Sequence, residues 1–248
     1  MEDQKIQISI VIPTKNEESL LAACLKQISN DLQQRYSLEL IVSDGGSTDN
    51  TVTIAKTFTD RIVIHDTASR LQTIAEGRNA GAALAKGEII MFLNADTEVP
   101  NCEKFIQRIL HLMSPDRELV ALAVKVQIRP DERILSDKLF HTFFNQYVRI
   151  LNFFGMGMGR GECQIIRKTT FLACGGYNSS LAAGEDFDLY HRLTKYGKVR
   201  YDSRLLVYES PRRYRKYGYA KVYFDWVSNG LSVLFRGKAS SKTWEEVR

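Results

Sequence analysis

Short runs of β-branched and aliphatic residues alternate with stretches whose apolar positions recur every three or four residues. Residues 6–12 (IQISIVI) predict a first strand, stopped by Pro13, and residues 17–32 a helix with Leu20, Leu21, Cys24, Leu25 and Ile28 on one face. Residues 38–42 (LELIV) predict the second strand, and 50–58 a helix capped by Ser47 or Thr48. A third strand is expected at 61–65, then an Ala-rich helix at 71–86 with Gly87 as its C′ residue. The run 88–93 (EIIMFL) is nearly all apolar, as for a central parallel strand covered on both faces.

Further along, the pattern predicts a helix from Pro100 to about Met113, a strand at 119–127 and a long aromatic-rich helix at 133–154. A glycine-rich segment at 155–161, a strand at 163–167, a helix at 184–196 and one or two strands in 199–208 follow. An amphipathic helix from Tyr214 and a charged tail end the chain. Strand–helix alternation of this kind predicts an α/β fold, a mostly parallel central sheet flanked by helices with right-handed crossovers. Nothing in it reads as a linker between two independent domains.

Composition narrows the function class. The 248 residues are 44% hydrophobic and 25% charged, which excludes collagen-like and disordered chains and allows a large core. The net charge of +5 is too small for a dedicated nucleic-acid binder, so nucleic acid is not an expected partner. Cys24, Cys102, Cys163 and Cys174 are far apart and form no zinc pattern. The opening Met-Glu-Asp-Gln-Lys lacks a signal-peptide pattern, and no apolar run reaches about 20 residues. The expectation is a reduced, cytoplasmic protein.

In an open α/β sheet, ligands bind beyond the carboxyl ends of the strands. Three polar clusters fall there: 13–17 (PTKNE), 44–49 (DGGSTD) and 94–96 (NAD). A carboxylate at a strand end is costly unless solvated or paired, so three such clusters on one rim mark a candidate site; the competing reading is helix capping, strongest for Asp49. The glycine-rich GMGMGRG segment fails as a dinucleotide fingerprint, because Arg160 stands where a third Gly is required and a helical stretch precedes it. It reads better as a mobile loop over the candidate site, with a plain connector as the alternative.

The segments 11–18 (VIPTKNEE), 44–50 (DGGSTDN), 77–81 (GRNAG) with 85–96 (AKGEIIMFLNAD), and 184–193 (GEDFDLYHRL) together resemble the ordered motifs of the inverting family 2 glycosyltransferases. The likeness runs from about residue 6 to 210 and includes 163–178 (CQIIRKTTFLACGGYN). It implies a GT-A fold: a domain at 1–213, with a nucleotide-binding half at 1–99 and an acceptor half at 100–213, and a C-terminal helix and tail at 214–248. It also implies transfer of a sugar from a nucleotide donor (UDP or GDP type) to an acceptor hydroxyl with inversion.

By the same resemblance, Pro13, Thr14, Asn16, Glu17, Asp44, Gly45, Arg78 and Asn94 bind the nucleotide, with Asp44 on a base N–H and Arg78, or less strongly Arg70, on the diphosphate. Asp186 is the general base. Glu185 and Arg212 belong to the acceptor and donor-sugar region; independently of the resemblance, Arg212 and Arg213 in the basic stretch are alternative cations for the diphosphate. Asp96 and Glu209 are the metal candidates, for Mn²⁺ or Mg²⁺. Asn94 replaces the first acid of a D-x-D signature, which points to weak metal binding. Taken alone, Glu185-Asp186 is also an ordinary acidic first helical turn, and Asp188 with Arg192 an i, i+4 ion pair.

From Arg192 to Lys221 ten Lys/Arg face two acids, interleaved with tyrosines, and aromatic residues crowd 140–154. Together they suggest a peripheral membrane contact presenting a lipid-linked acceptor; a core-facing helix with a solvated basic face is the alternative. A sugar nucleotidyltransferase and a non-catalytic nucleotide-sugar-binding or membrane-associated scaffold remain open as functions. The first would want a loop rich in glycine and basic residues after strand one, where this chain has Thr14-Lys15-Asn16-Glu17, and Asn94 is the feature that favours the second.

Overall fold

The computed structural model describes residues 5–67, 70, 72–114, 118–181 and 183–236. In chain order the elements are β1 (Ile8–Thr14), α1 (Leu21–Lys26), α2 (Asn30–Tyr36), β2 (Leu38–Asp44), α3 (Thr51–Lys56), β3 (Ile62–Ile64), α4 (Ile74–Leu84) and β4 (Ile89–Leu93). They continue with α5 (Cys102–Leu112), β5 (Leu119–Ile128), α6 (Leu135–Phe153), β6 (Cys163–Arg167), α7 (Lys168–Ala173), α8 (Glu185–Leu193), β7 (Lys198–Glu209), α9 (Arg212–Tyr217) and α10 (Tyr219–Arg236).

The strands form one seven-stranded sheet in the order β3-β2-β1-β4-β6-β5-β7. All neighbours pair in parallel except β6, which runs antiparallel to both β4 and β5. Two reversals cancel, so β5 and β7 point the same way as β4. The carboxyl ends of β1, β2, β4 and β7 therefore share one rim, joined there by the chain entering β6. Buried side chains form a core on each face of the sheet, one around Ile10, Leu40 and Met91, the other around Val11, Phe92 and Tyr190. This is the expected mostly parallel α/β sheet, with one antiparallel strand added.

Several boundaries differ from the sequence pattern for local reasons. The helix expected at 17–32 is two helices, because Ser29 leaves the helical conformation and its hydroxyl caps Leu32 N. The helix expected at 71–86 starts at Ile74, since Thr73 and Glu76 form a capping box; Leu71 lies outside the described residues. Gly87 is not a left-handed C′ residue, for α4 ends at an extended Ala85. A Cβ on Gly87 would sit 2.6 Å from Ser9 N, so close approach to β1 explains the glycine. Asn50 precedes α3, and Asp49 accepts from Thr51 N (2.9 Å) and Glu18 N, filling the role expected of Ser47 or Thr48. The single C-terminal helix is two, broken at Gly218 with φ +77°. The tail at 237–248 lies outside the described residues.

The glycine-rich loop is packed rather than free. A Cβ on Gly159 would meet the Tyr190 ring at 2.5 Å, and one on Gly157 would meet Tyr190 O at 2.3 Å. No helix among the described residues is long and apolar enough to cross a membrane, and all four cysteines are free thiols. Burial pushes the Cys24 thiol up to about 12, out of reach of ordinary thiolate chemistry.

Candidate active site

The shared rim opens into a cleft of about 770 Å³. Pro13, Thr14, Glu17, Gly45, Arg78, Asn94, Asp96, Glu185, Asp186, Glu209, Arg212 and Arg213 all contribute to its lining. Asn16 and Asp44 stand behind that lining and organise it. Asp44 accepts from Gly46 N and Ser47 N on one oxygen, and from Thr14 Oγ1 (3.0 Å) and Ser47 Oγ (2.5 Å) on the other. Its lone pairs are thus occupied by its own loop and β1. Asn16 adopts φ +51°, and its side-chain oxygen accepts from Thr48 N at 2.8 Å, which pins the β1 loop to the β2 loop.

Arg78 rises from α4 into the floor and is 1% exposed. One terminal nitrogen donates to Glu185 (2.8 Å); the other donates to Gly161 O (2.8 Å) and Asn94 Oδ1 (3.2 Å). Its guanidinium lies 5.3 Å from the Tyr177 ring centre. Asn94 thereby uses its amide oxygen inside the protein. Arg70 pairs with Glu76 at 2.6 Å on the surface, and Asp188 pairs with Arg192 at 2.7 Å as the spacing predicted.

Asp186 follows Glu185 at the start of α8, where Gly184 supplies the left-handed turn (φ +77°). Burial, and then the neighbouring Glu185 carboxylate, push Asp186 up to about 7; Arg78 opposes them. A carboxyl group that titrates near neutrality at the wall of a cleft is suited to taking a proton.

Asp96 and Glu17 converge on one cation. The same Arg212 nitrogen lies 3.1 Å from Asp96 Oδ2 and 3.1 Å from Glu17 Oε1. Burial raises the Asp96 carboxyl above the ordinary range, and Arg212 counters part of that rise. Arg212 reaches this point because β7 ends on the same rim as β1 and β4. Among the described residues no three His, Cys, Asp or Glu side chains gather into a metal cage. Two carboxylate oxygens facing one cation are nevertheless the hard donors that Mg²⁺ or Mn²⁺ takes together with phosphate oxygens.

Beside these acids lies a buried network that sequence reading missed. Arg160, 3% exposed, donates to Glu209 (2.6 Å) and Glu162 (3.0 Å) and stands 5.2 Å from the Phe144 ring centre. Tyr214 OH also donates to Glu209, at 2.9 Å. Burial and the adjoining Glu162 raise the Glu209 carboxyl well above its ordinary value; Glu162, against its own burial, is lowered by Arg160. Burial and Arg160 hold His141 down at about 3, so the ring is neutral. Lys15, from the 13–17 cluster, and Met158, from the glycine-rich segment, also line the cleft, as does Gln72, which no sequence signal marked. Phe144, Tyr147, Leu151, Met156, Met158 and Trp226 supply an apolar part of the lining. Trp226 comes from α10, so the C-terminal helices complete the cleft, and α9 crosses the expected boundary at 213/214.

Comparison with known proteins agrees with this architecture. The family model for glycosyl transferase family 2 matches residues 9–172. A PGL/p-HBAD biosynthesis glycosyltransferase of Mycobacterium bovis is 40% identical over 92 residues, which is 36% of this chain and 34% of that protein. The chain thus spans about a third of the length of that curated relative. The mannosyltransferase PcManGT of Pyrobaculum calidifontis, solved with GDP-Man and Mn²⁺, superposes with a TM-score of 0.69 at 18% identity, over 96% of this chain and 66% of that one. Glucosyl-3-phosphoglycerate synthase of Mycobacterium tuberculosis, solved with Mn²⁺, UDP and glucosyl-3-phosphoglycerate, gives 0.62 at 16% identity, over 95% and 82%. At these identities the likeness establishes the GT-A fold.

Proposed function

The chain belongs to glycosyl transferase family 2, and we propose that it moves a sugar from a nucleoside-diphosphate donor to an acceptor hydroxyl with inversion at the anomeric carbon. The observation that carries this reading is the pair of carboxyl centres in one cleft. Asp186 titrates near 7 in the lining, and Asp96 with Glu17 faces the Arg212 cation in the same lining.

The nucleoside lies along Pro13, Thr14, Glu17 and Gly45, on the rim braced by Asn16 and Asp44. Arg212 and Arg213 face its diphosphate. Asp186 takes the proton of the acceptor hydroxyl, whose oxygen forms a bond to the anomeric carbon as the bond to the diphosphate oxygen breaks. Attack from the face opposite the leaving group inverts the centre. Arg78 acts as a positioning residue: it holds Glu185, and through it the first turn of α8 that carries Asp186. Arg160 keeps Glu209 in the floor, and we assign Glu209 to that network rather than to a metal.

The structural neighbours of the same fold that were solved with Mn²⁺ support a divalent ion here as well. Asp96 would hold it, with Glu17 nearby, once Arg212 turns to the phosphates; when bound it would neutralise charge building on the departing diphosphate. The helices α9 and α10 belong to the same catalytic unit, since Trp226 completes the cleft wall.

Family membership favours this reading over a nucleotidyltransferase, and donor hydrolysis separates an enzyme from a nucleotide-binding scaffold. The direct test is a melting-temperature panel with UDP, GDP, CDP and dTDP, each with and without Mn²⁺. One nucleotide at about 100 times its Kd should stabilise the protein by about 2.7 kcal/mol. No shift with any of them would overturn the proposal.

A further inference from the structure

Helix α6 presents three faces. Asp137, His141, Phe144, Asn145, Val148 and Asn152 are buried against the body. On the opposite side Leu135, Leu139, Phe143, Tyr147, Ile150 and Phe153 recur at i+4 and i+3 and are all exposed, Leu135 by 70% and Phe153 by 83%. Phe154 and Met156 extend the stripe beyond the helix. Between these faces lie Lys138 and Arg149, both exposed. The single acid of α6, Asp137, is 0% exposed and paired with Arg215 at 2.5 Å, so the outer surface of the helix carries positive charge only.

A solvent-facing apolar stripe of this length needs an occupant. Its position says which kind. Tyr147 and Met156 belong both to the stripe and to the apolar part of the cleft lining. The stripe is therefore continuous with the mouth of the site. Whatever seats on the stripe also faces that mouth, and a bilayer, unlike a folded partner, can pass an amphiphile from its own plane into the cleft. A stripe of Leu, Ile and Phe bordered by Lys and Arg is the pattern of a helix lying in the plane of an anionic bilayer.

We propose that the outer face of α6 docks on an anionic lipid bilayer and turns the apolar part of the cleft toward it, so that the acceptor is a membrane-resident amphiphile bearing the reacting hydroxyl. The docking stands on the α6 surface alone; the acceptor class also rests on the glycosyl-transfer reading. Phe144, Leu151, Met158 and Trp226 would then receive the apolar part of that molecule next to Asp186, while the polar rim holds the nucleotide.

The test is co-sedimentation of the full chain with vesicles of phosphatidylglycerol and phosphatidylcholine, or of phosphatidylcholine alone. Binding is expected to the anionic vesicles, weakened by salt and falling about tenfold or more in Phe143→Ser/Phe153→Ser and in Lys138→Glu/Arg149→Glu. None of these four residues lines the cleft, so both variants should keep the wild-type nucleotide response, which shows that they are folded and separates failure of docking from failure of the transfer reading. A wild-type chain that stays in the supernatant with anionic vesicles would overturn the proposal. So would binding unchanged in both variants, or a wild-type dimer that Phe143→Ser/Phe153→Ser dissociates while vesicles bind neither form, which would assign the stripe to a second copy.

Discussion

Two residues of the cleft have measurable signatures. If Asp186 is the base, kcat/KM should rise with pH through about 7 and level off above it, as the carboxylate form accumulates. Asp186→Asn should lower transfer about 10² to 10⁴-fold and leave nucleotide binding intact. The same group affects stability. Its folded pKa lies above the unfolded value, so its stabilising contribution is complete below about pH 4 and is lost as pH rises through about 7. Asp186→Asn should therefore melt higher than wild type at pH 8, and that advantage should shrink toward pH 4. A thermal series across that range checks it. Arg78 offers a second case: Arg78→Met leaves Glu185 buried without its partner and should cost about 3–5 kcal/mol in denaturant unfolding. Arg78→Met/Glu185→Gln should recover part of that loss, because the uncompensated charge is gone.

At the scale of elements, the loop between α6 and β6 decides how the site is floored. Gly159 is a glycine because α8 lies against it, whereas Gly155 has φ +73° with nothing within 4 Å of a Cβ. Gly159→Ala should cost about 1–3 kcal/mol through overpacking on Tyr190; Gly155→Ala should cost about 1 kcal/mol through backbone strain alone. Unfolding midpoints of the two variants distinguish contact from conformation. The segment expected as a loop over the site does line the cleft, through Met156, Met158, Gly159, Arg160 and Gly161, and Gly157 and Gly159 are packed closely on α8. Nothing local in GMGMGRG says that Tyr190 will lie beneath it.

For the molecule as a whole, the C-terminal helices are tied to the body through Asp137. This carboxylate is 0% exposed; burial works against its ionisation, yet Arg215 and Tyr219 hold it down at about 2. Its contribution is present above the unfolded value near 4 and is lost as pH falls through about 2. Asp137→Asn should lower stability at pH 7 by about 2 kcal/mol, the scale of hydrogen bonds to a charged group, and speed amide exchange in α9 and α10 before the rest of the chain. Mass-resolved hydrogen exchange would detect this, and uniform exchange would count against the tie.

What the sequence determined by itself was the local and ordered part: the strands, from their apolar runs; the rim clusters after them, from parallel topology; and the family, from four motifs in register. Those readings rest on neighbours in the chain, where residue type and spacing act directly. The tertiary structure decided which charges meet. Arg212 joins Asp96 and Glu17 across 116 and 195 residues. Arg78 is committed to Glu185 across 107. Both contacts depend on the antiparallel course of β6, which returns β7 to the rim of the cleft shared with β1 and β4. Strand direction is set by how the two hydrophobic faces of the sheet are covered, a property of the whole core that no short segment encodes.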